Sequence, residues 1–331
     1  MRNVSPTRRR VLLGSAAAVA TPLLAIGSRA SAQADYPNRP VRVIVPYPPG
    51  GGADTVSRIL FLKLGEAYGQ QFVIDNRGGA GGTIGAAAAA KADRDGYTIL
   101  YDATAFSVNP SLYPRLPYDS VKDFEPVFLA SLVPNILVVH PSVEAKTVSD
   151  VVALAKAASG GLDWASSGNG TVQHLSLELL KQRTGVTLNH IPYRGGGPAL
   201  NDLIGGQVKF FFANGASVIG HVQGGKLKAI AHTGRGRLGT LPDLPAVAET
   251  FPGFEAYEWN GVFALTGTPP EIVRKLNAGL NATLRQPDVI ARLQSLNVDF
   301  KENTPDEFRT FIAAEMEKWG RVVREANIKL G

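Results

Sequence analysis

The chain has 331 residues, enough for two domains, and its 44% hydrophobic and 19% charged residues match a globular protein rather than a disordered or membrane-embedded one. It carries 34 Lys and Arg against 28 Asp and Glu, but residues 1–32 hold five arginines and no acid, which leaves 29 against 28 beyond them. No basic stripe with interleaved aromatics marks a nucleic-acid partner, and with no cysteine there is neither a disulfide nor a thiolate metal site.

Residues 1–32 read as an export signal, with Arg2, Arg8, Arg9 and Arg10 ahead of a weakly apolar stretch and small residues near the expected cleavage site at 32–34. "TRRRVLL" resembles a twin-arginine signal, with an ordinary Sec signal as the alternative. A retained anchor is disfavoured, because Pro22 interrupts a run shorter than the roughly 20 residues a spanning helix needs.

Residues 41–45, "VRVIV", predict a buried strand that breaks into "PYPPGGG" before a helix with Val56, Ile59, Leu60 and Leu64 on one stripe. A second strand at 72–75 leads through "RGGAGGTIG" into an alanine-rich helix, and a third at 97–101 leads into a polar turn at 102–109. The extended stretch 126–140, with Pro134 and Asn135 at its centre, exceeds one ordinary strand and is expected to cross between sheets. Helices at 148–158, 172–182 and 198–203 then alternate with strands at 162–165, 188–191, 208–212 and 227–231, and 258–270 is a second crossing. Beyond it Ile272, Leu276 and Leu280 form a helical stripe. Thr304 and Glu307 make a capping box for a helix burying Phe308, Phe311, Ile312, Met316 and Trp319. Alternating strands and helices with two crossings predict an α/β chain of two lobes, the C-terminal helices returning to the first.

Glycine-rich openings between strand and helix suit anions, because backbone N–H groups and the helix dipole converge there. The loop at 46–52 is not a P-loop, since no Gly-Lys-Ser/Thr follows its glycines, and "GAGGTIG" matches a dinucleotide fingerprint only loosely. Residues 166–171, "SSGNGT", offer hydroxyls and amides to a carboxylate or phosphate, or else simply cap a helix. "IPYRGGGPAL" adds Tyr193 and Arg194, the arginine pairing with an acidic ligand or standing in solvent. "GASVIG" misses a nucleophile elbow by one residue. Ser166 or Ser167 as a hydrolytic nucleophile lacks an assignable base, no acidic partner follows from spacing for His174, and the five histidines show no metal-ligand spacing.

From about residue 36 onward, "VRVIVPYPPGGGADTVSR", "DNRGGAGGTIGA", "NPSLYPRLPYD", "SSGNGTVQHL", "HIPYRGGGPAL", "LPDLPAVAE" and "TPPEIVRKLN" resemble, in order, motifs of the tripartite tricarboxylate transporter substrate-binding proteins, the Bug family. The resemblance implies a type II periplasmic binding protein fold, two doubly wound α/β lobes closing about a hinge crossed twice, with 35–134 plus 260–331 as the first lobe and 135–259 as the second. It implies that Tyr47, Pro49, Gly50, Gly51, Ala53 and Asp54 face Ser166, Ser167, Gly168, Gly170, Thr171 and His174 across a small organic carboxylate. Thr104, Ala105 and Phe106, with Tyr193, Arg194 and Gly195, would complete the walls. Ala213, before Asn214, stands where the family commonly has an acid, and the loss of that carboxylate is expected to alter selectivity near an amino or hydroxyl group of the ligand. The implied role is an exported, monomeric carrier, without cofactor or metal, passing its ligand to membrane permease subunits. Presentation of a ligand to a sensor, or periplasmic hydrolysis, are the alternatives.

Overall fold

The computed structural model describes residues 36–329, so the expected export signal lies outside the described residues. In chain order the elements of the first lobe are β1 (Val41–Val45), α1 (Gly52–Tyr68), β2 (Phe72–Asn76), α2 (Thr83–Ala90), β3 (Thr98–Ala103) and α3 (Ala105–Leu112). The long strand β4 (Phe124–Val139) leads into α4 (Val148–Ala157), β5 (Leu162–Ser166), α5 (Val172–Thr184), β6 (Leu188–Pro192), α6 (Gly196–Ile204), β7 (Phe210–Asn214), α7 (Gly215–Gln223), β8 (Lys228–His232) and α8 (Val247–Thr250). The chain returns along β9 (Tyr257–Leu265) to α9 (Pro270–Leu284), α10 (Pro287–Ser295) and α11 (Pro305–Glu325).

The first sheet runs β2-β1-β3-β9-β4. Its strands β1, β2 and β3 are parallel, as right-handed strand–helix–strand units require, and β9 is antiparallel to both β3 and β4. In the second sheet β5 is parallel to β6 and β7, while β4 lies antiparallel between β7 and β8. The strand β4 therefore belongs to both. It pairs with β9 as far as Pro134, opposite Tyr257, and with β7 from Asn135, opposite Asn214. Both expected crossings are strands.

The residues at 102–109 are not the polar turn that their composition suggests, since Ala105 to Leu112 is helical. Its polar side chains face inward and find backbone acceptors. Ser107 Oγ donates to the Thr104 carbonyl at 2.8 Å, and Asn109 Nδ2 donates to the Gly81 carbonyl at 2.9 Å. Once satisfied in this way, buried polar groups no longer signal solvent.

Phe106, Phe124 and Phe263 centre the first core, the rings of Phe106 and Phe263 lying 4.3 Å apart. Phe308 of α11 stacks over Gly261 of β9 so closely that a Cβ there would lie 2.1 Å from its ring, which leaves glycine as the fitting residue. The capping box that starts α11 is present: Thr304 Oγ1 accepts from the Glu307 amide, and the Glu307 carboxylate accepts from the Thr304 amide. Such a cap contributes about 1 kcal/mol. Beyond its first turns α11 departs from the expected return to the first lobe. Trp319, Val322 and Val323 join the core of the second lobe with Leu175, Leu179 and Phe254, so the helix spans both.

Candidate functional site

Five loops leave the carboxyl ends of β1, β3, β5, β6 and β7 and enter α1, α3, α5, α6 and α7. In open parallel sheets this is the edge where ligands bind. Here the loops of the two lobes face one cleft of about 540 Å³.

The first loop is held from behind by Asp54, which is buried and accepts from the Gly50 amide at 2.9 Å, from Arg58 Nε at 2.9 Å and from Asn76 Nδ2 at 2.9 Å. Burial pushes the Asp54 pKa up, but the bonds from Arg58, Gly50 and Asn76 outweigh it and hold the carboxyl below its ordinary range. Gly50, at φ +81°, turns its own amide inward to Asp54, in a conformation few other residues adopt. The amides left for a ligand are those of Gly51, Gly52 and Ala53, which open α1 and have no carbonyl one turn back.

Tyr47, Gly50, Gly51 and Ala53 line the cleft from this loop, and Thr104 and Ala105 from the start of α3. Facing them are Ser167 and Thr171, Gly195, and Asn214. Thr171 caps α5 through its side chain and Asn214 caps α7, accepting from the Ala216 amide at 3.0 Å. Among the described residues no Lys, Arg or His lines the cleft; five helix N-termini meet there instead. Each concentrates roughly half a positive charge.

Other expected residues sit behind this surface. Phe106 is a core ring, Pro49 and Arg194 are exposed and do not line the cleft, and the Tyr193 hydroxyl donates to Asp202 at 2.9 Å. Gly168 and Gly170 shape the turn before α5, Gly170 packing on Leu112. Ala213 is buried opposite Ile136 and faces the second core, while its neighbour Asn214 reaches the cleft.

Ser166 is fully buried with its hydroxyl against His190 Nε2. The His190 ring stacks on His174 at 3.6 Å between centroids, and burial, followed by the His174 charge, pushes the His190 pKa down to about 4. His174 in turn lies 3.6 Å from Glu178, one helical turn on, an acidic partner that i,i+4 spacing could have disclosed. Of the two serines considered as nucleophiles, the one with a histidine partner is thus the one outside the cleft. Among the described residues no cluster of three or more His, Asp or Glu is placed to hold a metal ion.

Gln173, Glu258, Asn260, Leu296 and Val298 also line the cleft and were not anticipated. Glu258 had a visible signal, a charge opening the apolar crossing strand, whereas Leu296 and Val298 arrive from a distant helix end. Glu258 Oε2 accepts from Gln173 Nε2 at 3.1 Å and from Asn214 Nδ2 at 3.0 Å. Opposite, the Tyr47 hydroxyl donates to Asp102 Oδ1 at 2.8 Å. Burial, then the nearby Asp102 and Glu258 charges, raise the Tyr47 pKa well above its ordinary value, so the phenol keeps its proton. Burial drives the Asp102 pKa up to about 7 against the pull of the Ala103 amide and Tyr47, and its Oδ2 has no partner among the described residues.

Residues 56–328 match the family described as "Tripartite tricarboxylate transporter family receptor". The chain belongs to that family. The receptor is similar to the protein BugT of Bordetella pertussis, 39% identical over 308 residues that cover 92% of this chain and 94% of BugT. Among solved structures, Rpa4515 of R. palustris with adipate is 34% identical, with a TM-score of 0.80 over 89% of this receptor and 99% of that chain. MatC (Rpa3494) of Rhodopseudomonas palustris with bound malate is 33% identical, with a TM-score of 0.76 over 87% and 100%. The two-lobe periplasmic binding protein fold is thus shared with these structures.

Proposed function

We propose that this chain is a periplasmic solute-binding protein that captures a small organic carboxylate between its lobes and delivers it to the membrane permease of a tripartite tricarboxylate-type transporter. The observation that carries this reading is the meeting of five helix N-termini in a cleft that no basic side chain lines among the described residues. Backbone donors attract an anion without burying an arginine beside it, so the ligand is held and can also be released. The adipate and malate held by two relatives are small diacids of that kind. The change of partners in β4 between Pro134 and Asn135 supports a first lobe of 35–134 with 260–331 and a second of 135–259.

A thermal-shift panel of mono-, di- and tricarboxylates and aromatic acids tests the binding step. A ligand at 100 times its Kd adds about 2.7 kcal/mol of stability. A flat response to every acid would overturn the reading. Delivery is tested by uptake of the identified acid in cells lacking this gene or the permease genes. Unchanged uptake alongside loss of a transcriptional response would replace transport by sensing.

A further inference from the structure

The cleft carries two opposed electrostatic features. Helix N-termini from both lobes favour negative charge. On the floor between them stands a carboxylate, Glu258, whose placement is fixed rather than incidental. Its Oε2 is held by two amides, and each amide is itself anchored: Gln173 Nε2 also reaches Asn135 Oδ1 at 3.2 Å, and Asn214 Oδ1 caps α7. Oε1 receives no donor among the described residues. Beside it Asn260, 3% exposed, lines the cleft with an amide nitrogen that has no partner among the described residues. A second carboxyl, Asp102, lies behind Tyr47 on the facing wall, and among the described residues no cation lines the space between them.

A ligand bearing only carboxylates would set one of them near Glu258 with no lining cation to offset the repulsion, and would itself bring Oε1 no donor. Both deficits disappear if the ligand brings its own cation. We infer that the cleft selects an acid that also carries an ammonium group, the carboxylate meeting the helix N-termini and the ammonium donating to Glu258 Oε1. This rests on the carboxylate reading above and narrows it from organic acids in general to amino acids. The carboxylate at position 258 thereby acts as the specificity determinant, with Asn214 and Gln173 as positioning residues.

Titration calorimetry on the mature protein with two matched pairs, succinate with aspartate and glutarate with glutamate, isolates the amino group at constant carbon skeleton. The amino member of at least one pair is expected to bind about tenfold or more tightly than its partner, the worth of one charge-assisted hydrogen bond. Glu258→Gln, which keeps the shape of the side chain, is expected to remove that preference. A plain diacid that binds the wild-type protein as tightly as its amino counterpart overturns the inference and leaves the carboxylate reading standing. A preference that survives intact in Glu258→Gln overturns the role of Glu258. If none of the four binds, the inference fails, and the carboxylate reading fails with it only if the wider acid panel is silent too.

Discussion

Replacing Asp102 by asparagine is expected to flatten part of the pH dependence of stability. Asp102 is 1% exposed, accepts from Tyr47 and the Ala103 amide, and leaves Oδ2 bare. Burial raises its pKa to about 7 from an ordinary 3.8. The native chain therefore holds this proton in a range where the unfolded chain has released it, and in that range stability falls as pH rises. The contribution is full below about pH 3.8, drains away between there and about 7, and is constant above. Three pH units at 1.36 kcal/mol each make about 4 kcal/mol in all, roughly two thirds of it between pH 5 and pH 8. Asparagine preserves the acceptor toward Tyr47 and Ala103 and cannot ionise. Urea unfolding of both proteins at pH 5 and pH 8 should show the wild type losing about 2–3 kcal/mol more than Asp102→Asn across that interval. Parallel losses in the two proteins would mean that Asp102 is ionised and compensated in the native state, and the account of this wall of the cleft would be wrong.

Gly51→Val should abolish or weaken ligand binding by about tenfold or more while leaving the unfolding transition in place. Gly51 has an ordinary φ of −75° and room for a Cβ, which would meet only the Pro48 carbonyl at 3.6 Å, but the side chain would stand over the amides that open α1. Unchanged affinity by calorimetry would refute that placement. Gly261→Ala should cost about 1–3 kcal/mol in urea unfolding, because the new methyl enters the Phe308 ring and must displace α11 or bend β9. A variant as stable as wild type would show that the ring moves freely.

The strand β1 and the capping box of α11 were legible in the sequence because each rests on a local rule, apolar continuity in one case and a Thr–Glu pair three residues apart in the other. The crossing at β4 was legible from length and the Pro134–Asn135 break. The helix at Ala105–Leu112 was hidden, because Ser107 and Asn109 find acceptors at Thr104 and Gly81 that only the folded chain brings near. The lining residues divide the same way. Gly51 and Thr171 sit on loops whose glycines and hydroxyls announce a helix start, whereas Gln173, Asn260 and Val298 acquire their places from the approach of separate segments. Ser166 closes β5 and turns to His190, whereas Ser167, one residue past the strand, lines the cleft, a division that depends on where β5 ends and that two adjacent serines do not disclose.

The position of Glu258 has a mechanical side. It lies opposite Val133, one pair away from Pro134 and Tyr257, where β4 exchanges one sheet for the other. The two strands that pass between the lobes, β4 and β9, run through that point, and α11 packs on both lobes beyond it. A group gripped by Glu258 touches the fulcrum instead of the tip of either jaw. Occupancy and posture of the lobes are then read at a single place, with no relay of side chains needed to carry the message from binding site to hinge.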